Sequence, residues 1–300
     1  MSAKMRWLSV LLLFPLWMQA QSVVELTVDG GFSTFLYQTA DAKRLPAFGY
    51  GAHIGYAYFF HPNVGIGTGV GFRQTAGGVH YEGEQVWQGV MDTDHEPYDH
   101  HLAIRHWHER YTAYYVEFPL ALYFRVPLRH VQLRLEIGAK YGLGIHGNAK
   151  ASGSLTHTGY YEKWHLWLDV DEYGFYQEDD YKPAQTLPVR NMISAFVRAG
   201  VAVPLSRVCC LLAGVHAQYG FNTAFETGGE SPLGFRDDRP EGAYFHPFMT
   251  SYTSLLNTSL VSGKASPLNV GIELGVRFEL SPNRYTYRHR RKYPCRCLLY

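Results

Sequence analysis

Along much of the chain, hydrophobic and polar residues change places at every step. In 268–280 ("LNVGIELGVRFEL") Leu268, Val270, Ile272, Leu274, Val276, Phe278 and Leu280 share one parity, and Asn269, Gly271, Glu273, Gly275, Arg277 and Glu279 share the other. Successive side chains of an extended chain point to opposite faces, so this pattern predicts a β-strand with one apolar and one polar face. The alternation recurs in eight segments, near 24–37, 48–60, 64–74, 111–126, 131–146, 191–203, 208–222 and 268–280. In the third, every second residue from Gly65 to Gly71 is glycine, and Arg73 follows in the same phase. Tight turns follow the second, fourth and sixth segments, at His61–Asn63, Pro127–His130 and Pro204–Arg207. The other connections are loops of about 10, 35, 43 and 45 residues, with boundaries good to a few residues.

An even number of amphipathic strands, joined alternately by short turns and long loops, predicts an all-β fold. It is an eight-stranded antiparallel transmembrane β-barrel with long extracellular loops and short periplasmic turns. A soluble sandwich or lipocalin-like barrel explains the alternation but not the strict order of connections. The N-terminus supports export. Lys4 and Arg6 precede an apolar run, Trp7–Met18, and a small-residue site ends at Ala20. That run is too short for a spanning helix. The expected organisation is a cleaved signal peptide at 1–20, a barrel domain at 22–280 and a basic periplasmic tail at 281–300, placed in the cell outer membrane. The tail carries Arg284, Arg288, Arg290, Arg291, Lys292 and Arg296.

Lipid around the barrel inverts the usual faces: apolar residues point outward and polar ones into the lumen. Arg73, Glu117, Arg125, Arg134, Glu136, Lys140, Arg198, Glu273 and Arg277 are then lumen residues, as are Glu25, Asp29 and Glu279. Eight strands leave room only for side chains, so charges of both signs should pair and fill the interior. The formal charge of +1 over 300 residues gives no case for nucleic acid. The 23 Tyr and 30 Gly suit β-structure. Cys209, Cys210, Cys295 and Cys297 have no zinc-ligand spacing, and adjacent cysteines bond each other poorly.

Glu273-x-Gly275-x-x-Phe278-x-Leu280 is similar to the signal that the barrel-assembly machinery reads on a last strand, although twenty residues follow it here. Tyr115–Phe124 ("YVEFPLALYF") and the following "LEIGAKYGLGIHG" resemble two strands of the PorT-like outer-membrane β-barrel family, through Glu117, Pro119, Leu120 and Leu122. The resemblance implies an eight-stranded outer-membrane barrel. It also implies, for the name-giving member, a part in type IX protein secretion. Pro119 lacks an N–H and needs a bulge or local distortion in a central strand.

Loop 75–108 holds His100, His101, His106 and His108 among several carboxylates, which are candidate metal ligands. Their spacing matches no defined zinc motif, so the expected metal and cofactor content is none. Tyr160–Tyr176 reads as a hairpin extending the sheet above the bilayer. The expected function is non-enzymatic: a structural or surface-interaction protein with a plugged lumen. A secretion component, and a loop-based metal binder or enzyme, are the alternatives. Expected partners are outer-membrane lipid and lipopolysaccharide, the assembly machinery, and a surface or periplasmic protein.

Overall fold

The computed structural model describes residues 21–39, 42–92, 94–170, 175–206, 208–225, 233–235, 249–252, 254–255 and 261–280. The expected signal peptide and basic tail lie outside the described residues. Eight strands form a ring: β1 (Gln21–Thr39), β2 (Ala42–His61), β3 (Val64–Met91), β4 (Pro97–Pro127), β5 (Gln132–Tyr161), β9 (Met192–Pro204), β10 (Cys209–Gly220) and β13 (Val261–Glu279). Each pairs antiparallel with the next, β4 with β5 and β5 with β9 included, and β13 returns to β1. Between β5 and β9 lie a one-turn 3-10 helix, Glu162–Trp164, and three short strands. These are β6 (Leu166–Leu168), β7 (Gln177–Tyr181) and β8 (Ala184–Leu187), all added to β5. Outside the ring, β11 (Leu233–Phe235) pairs with β12 (Met249–Tyr252).

Exposure decides which face is inside. Phe32 and Ile272 are 75% and 65% exposed, whereas Glu25 and Arg277 are 0% and 1%. Each barrel strand turns its apolar parity outward, as a sheet solvated by hydrocarbon requires. A charge on that wall is costly. Ile272→Arg, near mid-height on β13, should destabilise the folded barrel by about 2–4 kcal/mol. Urea titration of the protein in lipid vesicles measures this.

Two expectations need correction. The long loop expected at 75–108 is a β-hairpin, because β3 and β4 stay paired as far as Met91 and Pro97. β5 likewise runs on to Tyr161, and the loop expected after the first strand shrinks to residues 40–41, outside the described set. Beyond the membrane the solvent is water, and the same ladder then hides its apolar side: Val79, Tyr81, Leu102 and Ile104 are buried inside. The second is the unbroken alternation expected over 131–146, which fails at its upper end. A bulge pairs Tyr114 with His146 and Tyr115 with Gly144, and the extra residue turns His146 outward, stacked near Tyr114. Of the bulge or local distortion expected at Pro119, the strand shows the local distortion and not the bulge. The β3–β4 register is the same on both sides of it, from Thr68↔Leu120 to Gly71↔Glu117, with the rungs between them missing. The Thr68 hydroxyl donates to the Pro119 carbonyl at 2.8 Å.

Candidate functional site

The lumen is built in layers. At its lower end the Arg125 guanidinium donates to Gln21 Oε1 at 2.6 Å and lies over the Phe59 ring. Val23, Ala57, Phe59, Ala121, Tyr123 and Phe196 form a small apolar layer beside it. Above comes the charged layer. Arg277 Nε donates to Glu25 at 2.6 Å, and Arg134 Nη1 reaches the same carboxylate at 3.2 Å. Arg134 also meets Glu273, which accepts from Arg198 Nε at 2.9 Å, and Arg198 pairs with Glu136 at 3.2 Å.

One step further, Glu117 accepts from Lys140 Nζ at 2.7 Å, Arg73 Nε at 3.4 Å and Gln218 Nε2 at 2.5 Å. Arg73 also pairs with Asp29 at 2.8 Å. Five carboxylates (Glu25, Asp29, Glu117, Glu136, Glu273) thus face five cations (Arg73, Arg134, Lys140, Arg198, Arg277), all buried. Such ions are tolerable in a low-dielectric interior only when paired and hydrogen-bonded. The glycines of β2 and β3 leave space for them: a Cβ on Gly51 would lie 3.0 Å from the Arg73 guanidinium. Glu279, expected inside, sits half-buried at the lower rim.

Above the charges the lumen meets an apolar core. Phe35, Tyr111 and Phe225 pack together, with ring centroids of Phe35 and Phe225 5.1 Å apart. Glu109, buried among them, accepts from the Leu255 N–H at 3.0 Å, the Ser254 hydroxyl at 2.5 Å and the Trp107 indole at 3.3 Å. Residues 254–255 of the last outer connection are thereby tied into the mouth. Nothing in the local sequence marked Glu109 or Ser254. Their pairing spans 145 residues and rests on tertiary structure alone.

The histidines of the outer hairpin do not converge. His100 turns inward and hydrogen-bonds His157, Nε2 to Nδ1 at 2.9 Å, among Trp87, Tyr98 and Phe175. Burial, then the neighbouring His157 and His101, push the His100 pKa down to about 3, and burial pushes His157 down to about 4. Outside, His101 pairs with Glu84 at 2.8 Å and packs on Trp167. His106 pairs with Glu82 at 3.4 Å, and His108 stacks near His80. Among the described residues no three His, Cys, Asp or Glu side chains form a metal-holding group. Of the residues expected to form an assembly signal, Glu273, Gly275 and Phe278 lie on β13 and Leu280 directly follows it, with Glu273 inward, Phe278 and Leu280 outward and Gly275 against Thr27 of β1. Cys209 and Cys210 are free thiols.

This ring agrees with what the sequence matches. Residues 19–226 fit the family described as "Outer membrane protein beta-barrel domain". The chain belongs to this outer-membrane β-barrel family. No curated protein sequence matches it. Among solved structures, it is similar to Neisserial surface protein A at 12% identity, covering 86% of this chain and 97% of that one, with a TM-score of 0.33. The attachment invasion locus protein of Yersinia pestis, solved with the heparin analogue sucrose octasulfate, matches at 11% identity over 87% and 99%, with a TM-score of 0.31. A major outer membrane protein of Thermus thermophilus matches at 12% over 87% and 100%, with a TM-score of 0.34. At such scores these likenesses add no argument; the eight-strand ring rests on the register described above.

Proposed function

We propose that this outer-membrane barrel is a non-enzymatic surface-interaction protein with a closed lumen, acting through its outer hairpins. One observation carries the reading: five buried carboxylates and five buried cations neutralise one another across the lumen, beneath an apolar core. A path for ions needs hydrated, mobile charges, and these are desolvated and locked to partners. Among the described residues the hairpins of β3, β4 and β5 form the largest structure above the barrel, and Trp164, Leu166 and Trp167 are exposed at their tip. Exposed aromatics of this kind suit protein contact. In planar bilayers the purified protein should give no steady open levels; persistent ohmic steps would overturn the closed lumen.

The proposal includes removal of residues 1–20 on export and recognition of Glu273, Gly275, Phe278 and Leu280 by the barrel-assembly machinery. The Glu117, Pro119, Leu120 and Leu122 motif supports a PorT-like subgroup and, with it, a role in secretion. A deletion strain that exports all its cargo normally would reject that role and leave surface interaction standing.

A further inference from the structure

We infer that Arg110 and Lys150, on the outer wall of the barrel, form a binding site for the phosphate-bearing headgroup of an outer-leaflet glycolipid. The inference rests on residence in the outer membrane and names a ligand for one part of the wall. Arg110 of β4 stands directly opposite Lys150 of β5, and both are exposed. Like charges placed across a sheet pair repel and destabilise it. Among the described residues neither cation has a carboxylate partner, whereas Lys163 and Lys182 pair with Glu96 and Asp180. Glu109, next in sequence, points inward and is occupied by Ser254 and Leu255. Glu82, higher on the same wall, lies between His80 and His106. A bound anion resolves the repulsion that the fold leaves unrelieved.

The surroundings fit a lipid better than a free ion. Across the ladder the row reads Leu45, Gly78, Arg110, Lys150. Gly77 and Gly78 carry no side chain, and a groove runs there from Leu45 and Phe48 to the two cations. Phe48 is 63% exposed and continues the apolar outer wall. One row higher in phase, Lys43 stands opposite His80, adding a further exposed cation. Tyr50, Phe72 and Tyr114 mark the aromatic girdle just below. Arg110 lies four residues above Tyr114. At about 3.4 Å per residue and a tilt near 40°, this is about 10 Å along the membrane normal, the depth of a phosphorylated headgroup. Basic groups at that depth recognise anionic headgroups, and an apolar flank favours the attached acyl chain.

The test uses the full-length protein in detergent, titrated with bis-phosphorylated lipid A, fully dephosphorylated lipid A and inorganic phosphate, with bound species read by native mass spectrometry. The phosphorylated lipid should bind. Arg110→Ala/Lys150→Ala should weaken it at least about tenfold, with Arg110→Gln/Lys150→Gln as a second pair if the first fails to fold. Arg110→Lys/Lys150→Arg should retain binding, and Lys163→Ala/Lys182→Ala should leave it unchanged. Heat-modifiable gel mobility reports folding of each variant. Equal affinity for the dephosphorylated lipid, or an unaffected double variant, overturns the site. Displacement by inorganic phosphate at equal concentration shows a simple anion site and overturns the lipid assignment. Membrane fractionation of cells is read separately. Absence from the outer membrane rejects the cellular reading, while outer-membrane residence without lipid binding rejects only this site.

Discussion

Replacing Glu117 with alanine should cost the barrel about 3–5 kcal/mol, the effect of leaving a buried ion without its partner. Among the described residues Glu117 is the one carboxylate paired with Lys140, at 2.7 Å, and it also holds Arg73 and Gln218. Its removal strands an ammonium in an interior where desolvation is not offset. Truncating both partners, Glu117→Leu with Lys140→Met, should cost much less than the sum of the single changes, because no uncompensated charge remains. The urea midpoint of the folded band on a semi-native gel gives all three values, and the double-mutant cycle isolates the coupling. Additive losses would show that the two charges are independently solvated, which a water-filled lumen permits and a packed one does not.

Acid should open the outer hairpins while the membrane ring stays closed. His100 and His157 share one hydrogen bond inside an aromatic box, so at neutral pH both are neutral, one donating and one accepting. Their folded pKa values lie below the ordinary 6.5, at about 3 and about 4. The unfolded hairpin therefore binds more protons than the folded one. Above pH 6.5 neither form is charged and nothing is lost. As pH falls through 6.5 the unfolded histidines protonate first, and stability declines until the folded values are reached. At 1.36 kcal/mol per pKa unit, His157 alone accounts for about 3 kcal/mol at the acid end. The two rings titrate as a pair, and the second proton is the costly one because it sets two imidazolium ions side by side. Relative to the intrinsic exchange rate at each pH, amide protection along 81–105 and 153–161 should fall between pH 7 and pH 4, with that of 112–126 unchanged. His100→Gln/His157→Gln, which hydrogen-bonds without titrating, should flatten that dependence.

Much of the fold was legible because hydrocarbon imposes a simple rule. Where lipid touches the wall, every second residue must be apolar, and β5 states this over fourteen positions from Leu133 to His146. The outer hairpin escaped notice for a physical reason. There the apolar parity moves to the inner face, and bulges between Tyr81 and Gly83, between Arg105 and His108 and at Tyr114/Tyr115 reset the phase. His106, with φ 54°, marks one of these resets. Alternation counted from the membrane end therefore fades into noise. The charged lumen residues were legible by parity, but their pairing was not: Arg73 reaches both Asp29 and Glu117 across strands whose stagger no single sequence reveals. The candidate histidines looked like one cluster because they are near in sequence. A strand disperses neighbours to opposite faces, and His100 and His101 end in different solvents.

The Glu25–Arg277 pair closes the seam between β1 and β13, 252 residues apart in the chain. Every other neighbouring pair in the ring is joined through a shorter stretch of chain, so this seam carries the greatest loop-closure entropy and is the natural last step of assembly. Until it forms, Glu25 and Arg277 are open charges at the two edges of an unclosed sheet, and Arg134 lacks one of its carboxylates. Completing the cylinder and neutralising its interior are then one event. A half-closed sheet gains little from either, which makes folding of this chain a single cooperative transition rather than a gradual zippering.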